Sequence, residues 1–285
     1  VLYHEQAETD LLSGINNPTD EQVQTAHQQA QEQEHDFKVW TSVNAVSEDT
    51  IKENLEQVTG FGPRDSRYLQ INKIDSWYTT FAEEIEQHES AKEYLYGRLQ
   101  DMGLDVEYQP FVQNGYSGEN IIATLPGKTD PGKALLITAH YDSNTGAGAN
   151  DDASGVASVL EMAGVLSRTQ NDYTIQFIMF DAEDRGSLGS AAFVQKAFEN
   201  DSNYNEHVIG VIDMDTIGTN VGPDISFESG DKSLDLFMDY GIADGKEFAE
   251  QVQSLAEDMN FIPGITIHEQ SYTHADVVKF EERGI

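Results

Sequence analysis

The sequence predicts an α/β domain with a mostly parallel central sheet flanked by helices. Three observations predict it. The runs ALLIT (134–138), TIQFIMF (174–180) and HVIGVIDM (207–214) are apolar almost throughout, as in strands of a sheet covered on both faces. Helical patterns separate them, and strands spaced in this way pair largely in parallel. Each run also ends at, or is closely followed by, metal-binding residue types: His140 and Asp142, then Glu183 and Asp184, then Asp213 and Asp215. In an open α/β sheet, ligands bind beyond the carboxyl ends of the strands. Residues scattered along the chain are therefore expected to meet in space.

Taken in order, residues 1–42 form a polar N-terminal extension rich in Gln, Glu and His, as in EQVQTAHQQAQEQEHD (21–36). This is either a polar helix or a disordered leader, and His4, His27 and His35 within it are read as solvated. A domain follows over 43–285. Ser47 is a candidate N-cap for a helix with Ile51, Leu55 and Val58 on one face. GFGPRDSRY (60–68) is a turn broken by Gly and Pro. A long helical pattern over 75–102 carries Trp77, Phe81, Ile85, Ala91, Tyr94, Leu95 and Leu99, and Gly103 stops it. VEYQPFV (106–112) and NIIATLPG (120–127) read as strands leading to the central one. After the loop SNTGAGAN come Asp151 and Asp152, then a helix with Val156, Val159, Leu160, Ala163 and Leu166 at helical spacing. Gly186 and Gly189 allow a tight turn after Glu183 and Asp184.

Composition narrows the function. With 16 Lys+Arg against 51 Asp+Glu, the net charge of −35 reads first as a solubility adaptation, as in salty surroundings; it also repels nucleic acid and anionic membranes and attracts cations, including metal ions and peptide amino termini. No apolar run approaches membrane-spanning length, so no membrane partner is expected. The absence of cysteine removes disulfides, thiolate metal ligands and thiol nucleophiles. The chain begins with Val rather than Met, so removal of an upstream segment, a signal peptide or some other leader, is expected; the localisation expected is secreted or periplasmic.

The clustered residues suit a two-metal hydrolytic site, in which ions about 3.5–4 Å apart share a carboxylate. Asp151, at the mouth of a helix, could bridge and gain from the helix N-terminus. His140 with Asp184 or Asp215 could be terminal ligands. Asp142 could accept a hydrogen bond from the His140 imidazole and fix its tautomer. Glu183, longer than its neighbour Asp184, could take a proton from water.

AHYDS, GANDDASG, AED with GSLGS, and VIDMDTIG, in this order and spacing, resemble the successive signatures of the M28 zinc aminopeptidases of bacterial leucyl-aminopeptidase type. The resemblance covers about residues 43–285, including FGPR (61–64) and the SAKEYLYGRL segment. It implies a zinc exopeptidase-like fold, two Zn²⁺ ions and a peptide substrate with a free N-terminus. It places His140 as a terminal ligand, Asp151 as the bridge and Glu183 as general base. Asp184 stands where the family usually has a second Glu, and the register of VIDMDTIG selects Asp215 over Asp213. ADVVKFEERGI (275–285) resembles the segment before the family's last histidine ligand, with Asp276 matched and Val277 where His is common. That ligand is expected beyond Ile285, so the C-terminal part of the domain is expected to be missing; His268 and His274 are poorer substitutes. Two alternatives stay open: a single-zinc enzyme resembling glutaminyl cyclases, and a non-catalytic module of the same fold.

Overall fold

The computed structural model describes residues 2–13, 15, 18–66, 82–144, 146–218, 236–240, 243–258, 265–269 and 275–285. Trp77, Phe81 and His274 fall outside this set, as do the side chains of His4, His35 and His268. The chain divides into two compact units, Val1–Ser47 and Glu48–Ile285.

The first unit holds helices α1 (Leu2–Leu11) and α2 (Asp20–Asn44). Thr19 opens α2 with a capping box: its hydroxyl accepts from the Gln22 N–H, and the Gln22 side chain accepts from the Thr19 N–H at 3.0 Å. Two orphan donors of the helix start are thereby satisfied. His27 lies 3.3 Å from Glu8, with half its side chain in solvent.

The second unit is built on a five-stranded sheet ordered β1-β2-β4-β3-β5. Its strands are β1 (Asp105–Gln113), β2 (Tyr116–Leu125), β3 (Asp130–His140), β4 (Tyr173–Phe180) and β5 (Val208–Asp213). Strands β3, β4 and β5 are parallel to one another and carry the candidate site; β1 and β2 extend the sheet antiparallel.

Alternation explains the apolar runs, because successive side chains leave a strand on opposite faces. Ile121, Ala123, Ile137, Ala139, Phe177 and Met179 pack on one face against Val58 of α3 (Glu48–Gly60), Leu95 and Leu99 of α4 (Ala82–Asp101), and Val156, Val159, Leu160 and Ala163 of α5 (Ala153–Leu166). Ile122, Leu136, Ile178 and Phe180 pack on the other face. Their partners are Phe193 and Val194 of α6 (Leu188–Asn200) and Phe280 further on. Each fully buried side chain of this size contributes roughly 1.5–3 kcal/mol of transfer free energy. Helix α4 ends at Asp101, and Gly103 follows in the left-handed region with its N–H donating to the Gln100 carbonyl.

Strand β5 departs from the expectation of full burial. Its residues are half-buried and Ile209 is exposed, because among the described strands it pairs on one side only, with β3. The short helix α7 (Tyr204–His207) precedes it. A separate parallel pair, β6 (Leu236–Tyr240) and β7 (Ile265–Glu269), flanks α8 (Ala243–Asp258) in sequence, and α9 (Asp276–Glu281) closes the described chain. Among the described residues, no helix is long and apolar enough to cross a membrane.

Candidate metal centre and active site

Parallel registry brings the strand ends together. His140 pairs with Phe180 and Thr138 with Asp213, so the residues just beyond β3, β4 and β5 share one edge of the sheet. There the ligand atoms of His140, Asp151 and Asp215 all lie within 4.8 Å of one another. His140 Nε2 is 3.1 Å from Asp151 Oδ1 and 3.9 Å from Asp215 Oδ1.

The other imidazole nitrogen faces Asp142. Nδ1 lies 3.2 Å from the Asp142 carbonyl oxygen and 3.4 Å from its Oδ1. With the proton on that side, the Nε2 lone pair points at Asp151 and Asp215. The Asp142 carboxylate is fully buried and well supplied: Oδ2 accepts from Ser66 Oγ at 2.6 Å and Oδ1 from the Glu183 N–H at 3.0 Å. Burial works to raise its pKa, but the bonds to His140 and Ser66 and the His140 charge hold it below the usual range.

Adjacent Asp151 and Asp152 do different work. Asp151 has 58% of its side chain exposed and its carboxylate turned to His140. Asp152 is fully buried and accepts from the N–H groups of His140 (3.2 Å), Gly155 (2.9 Å) and Thr216 (3.3 Å). It is the N-cap of α5. The favourable helix N-terminus expected for Asp151 therefore belongs to Asp152, whose carboxylate reaches the first-turn amides. Gly155 is obligatory here, since a Cβ would collide with the Met214 carbonyl oxygen and the Asp152 carboxylate.

Glu183 begins a single 3-10 turn, Glu183–Arg185, after β4. Its Oε1 accepts from Ser187 Oγ at 3.2 Å. Burial raises its pKa to about 7; the Asp142, Asp215 and Asp184 carboxylates add to this, while the His140 charge opposes it. Asp184 stands outside the trio of ligand atoms. Its short carboxylate is turned to Asn144, which donates to Oδ1 at 2.9 Å. Burial, with Asp142 nearby, raises its pKa to about 6, and burial does the same for Asp215.

Asp213 and Asp215 differ in what they have left to offer. Asp213 accepts from the Thr138 hydroxyl and from the Val277 N–H at 3.2 Å. Asp215 Oδ1 is buried and accepts no hydrogen bond among the described residues. The same is true of Asp184 Oδ2. Leaving such atoms unsatisfied costs about 1–3 kcal/mol each. Imidazole nitrogen and carboxylate oxygen are ligands that Zn²⁺ accepts. His140 Nε2, which faces Asp151 and Asp215, and Asp215 Oδ1, with Asp151 between solvent and site, thus fit a zinc ion. Asp276, Arg64 and Ser66 were not singled out as site residues by the sequence, although Asp276 lies in a recognisable segment and Arg64 in the FGPR turn.

The crowded carboxylates set a pH dependence for the metal-free protein. Glu183, Asp184 and Asp215 have pKa values raised on folding. Their contribution to stability is complete below the unfolded values of about 4 and is lost as pH rises through about 6 to 7. His140, also raised, acts in the same direction. Asp142 and Asp151 are lowered and lose their contribution only below about pH 4. With chelator present, Tm should fall by about 5 °C between about pH 5 and pH 8. Zinc should abolish the fall, and a chelated protein whose Tm rises over that interval would contradict this charge balance.

Fold and donor set together define an α/β domain with a candidate metal centre at one edge of its parallel strands. The sequence profile described as peptidase family M28 matches residues 120–285, and the chain belongs to that family. A probable zinc metalloprotease of Pyrenophora teres f. teres is 28% identical over 209 residues, covering 66% of this chain and 40% of the relative. The chain thus spans less than half the length of that relative. Among solved structures, the LapA aminopeptidase of Legionella pneumophila is similar with a TM-score of 0.65 and 23% identity, over 88% of this chain and 60% of that one. The glutaminyl cyclase of Bacteroides thetaiotaomicron is similar with a TM-score of 0.60 and 20% identity, over 83% of this chain and 81% of that one. At such identities the two structures establish the shared fold.

Proposed function

We propose that this domain is a zinc-dependent aminopeptidase, removing the N-terminal residue from peptides with two co-catalytic ions. The observation that carries the reading is the convergence of His140, Asp151 and Asp215 at the strand ends, with half-buried Glu183 in the turn that follows β4. His140, Asp151, Asp215 and Asp184 would hold the zinc. Bound zinc supplies Lewis-acid chemistry, polarising a carbonyl and making water more acidic. Glu183 accepts the proton of the attacking water at its carboxylate and passes it to the leaving amine. Asp142 keeps the imidazole oriented, with its Nδ1 proton directed away from the metal side. The acidic surroundings attract the protonated amino terminus of a peptide.

The test is product analysis on a glutaminyl peptide in the presence of zinc. Free glutamine is the expected product. Pyroglutamyl peptide would make the domain a cyclase instead, a reading favoured by the position of Asp184 apart from the three clustered ligands. Failure to take up zinc, with neither product formed, would assign the fold a non-catalytic role.

A further inference from the structure

The turn Gly62–Ser66 lies about 80 residues before the metal loop in sequence, yet it is wired into that loop at both ends. Arg64 is fully buried. Its Nε donates to the Tyr141 carbonyl at 2.6 Å, directly after His140. Its Nη1 donates to the Ala147 carbonyl at 2.7 Å, and Nη2 reaches the Gly148 carbonyl at 3.5 Å, a few residues before Asp151. Nη1 also faces the Val58 and Gly62 carbonyls at 3.3 and 3.4 Å. The main chain repeats the connection: Ser143 N–H donates to the Arg64 carbonyl at 2.9 Å, and the Arg64 N–H to Ser143 Oγ at 3.3 Å.

The packing is built around this guanidinium. Gly148 has φ +55, and a Cβ there would stand 3.0 Å from Arg64 Nη2 and collide with the Asp151 carbonyl oxygen. Two residues on from Arg64, Ser66 donates to Asp142, the carboxylate that faces His140 and accepts the Glu183 N–H. Asp65 and Ser66 also meet Arg185, at 3.4 and 3.3 Å, in the turn that begins with Glu183. Burial lowers the Arg64 pKa to about 10, with Asp142, Asp152, Asp184 and Asp151 opposing the change, so the group stays cationic at neutral pH. Among the described residues its bonded partners are five carbonyls and no carboxylate, and its charge offsets that of the nearby acids.

We propose that Arg64 and Ser66 are positioning residues for the metal centre: Arg64 fixes the span from His140 to Asp151, and Ser66 fixes Asp142 and through it His140 and Glu183. The proposal rests on the zinc reading above. It goes further by assigning zinc affinity to a turn that contributes no ligand. Lysine cannot replace Arg64, because an ammonium is a point donor and lacks the planar fork that reaches several carbonyls at once.

The test compares Arg64→Lys and Ser66→Ala with Leu99→Ala, a core truncation on α4 that removes no hydrogen bond to the loop. Zinc affinity is measured by competition with a chelator, thermal stability on the metal-free protein, and amide exchange on the metal-free protein by mass spectrometry. Arg64→Lys and Ser66→Ala should weaken zinc binding by about 10–100-fold, the usual cost of losing a partner behind a ligand. Leu99→Ala should lower Tm more than Ser66→Ala does and leave zinc affinity within about threefold. In metal-free Ser66→Ala, exchange at the Glu183 amide should quicken; in Arg64→Lys it should quicken across 141–148.

Zinc affinity falling no more than in Leu99→Ala, together with unchanged exchange in these segments, would reduce the turn to a general cross-link and overturn the proposal. If Arg64→Lys does not fold, Ser66→Ala decides by the same readouts. If the parent protein takes up no zinc, the metal reading fails, and the exchange measurements alone still decide whether the turn fixes the loop.

Discussion

Replacing Glu183 with Gln should leave zinc bound and cut turnover by about 10²–10⁴-fold, the usual worth of a positioned general base. The amide has the same shape. Its oxygen can still accept from Ser187 Oγ, as Oε1 does now at 3.2 Å, and the Glu183 backbone N–H keeps its bond to Asp142. What is lost is the ability to take a proton. The parent's activity should rise with pH as Glu183 ionises, since only the carboxylate is a base. Burial puts that ionisation at about 7 in the metal-free protein, and bound zinc should move it lower, because a nearby cation favours the charged form. The residual activity of the variant should lack this rise. Zinc content by mass spectrometry and a pH profile of kcat check both points. Turnover within a few-fold of the parent would remove Glu183 from the role.

Much of this arrangement is legible in the sequence because burial on both faces leaves a plain mark. Ile121 and Ile122, or Phe177 and Ile178, point to opposite cores, so their strands have no polar face and cannot be mistaken for surface strands. Strand ends are equally plain, since His140, Asp213 and Asp215 interrupt apolar runs. What local pattern does not carry is the choice between near neighbours. Asp213 and Asp215 lie on the same side of an extended segment by spacing. Contacts from Thr138 and from Val277, 64 residues later, occupy the first, while an oxygen of the second has no partner among the described residues. Arg64 was hidden for a similar reason. Arginine is rarely fully buried, and its partners are backbone carbonyls, which no side-chain pattern reveals. Asp152 left a readable sign, an Asp directly before a helical pattern, but the adjacent Asp151 left the assignment ambiguous.

That adjacent pair yields the second large effect. Asp151→Asn should abolish tight zinc binding, with affinity falling by more than about 100-fold, because a ligand is worth more than the 10–100-fold of a supporting partner. If the carboxylate is shared, both ions should be lost together, whereas Asp184→Asn should weaken mainly one. The metal-free fold should lose only the half-exposed contact of Asp151 with His140, a smaller effect than the loss of zinc. Asp152→Ala should show the reverse balance. It deprives the His140, Gly155 and Thr216 amides of their acceptor and removes the N-cap of α5. A lost cap alone costs about 0.5–2 kcal/mol, and the stranded amides add to it, so the metal-free Tm should fall by about 5 °C or more. Zinc stoichiometry and metal-free melting on the two variants separate the roles. Unchanged zinc in Asp151→Asn would show that the exposed carboxylate is not the bridge, and would move the metal toward Asp215 and Asp184.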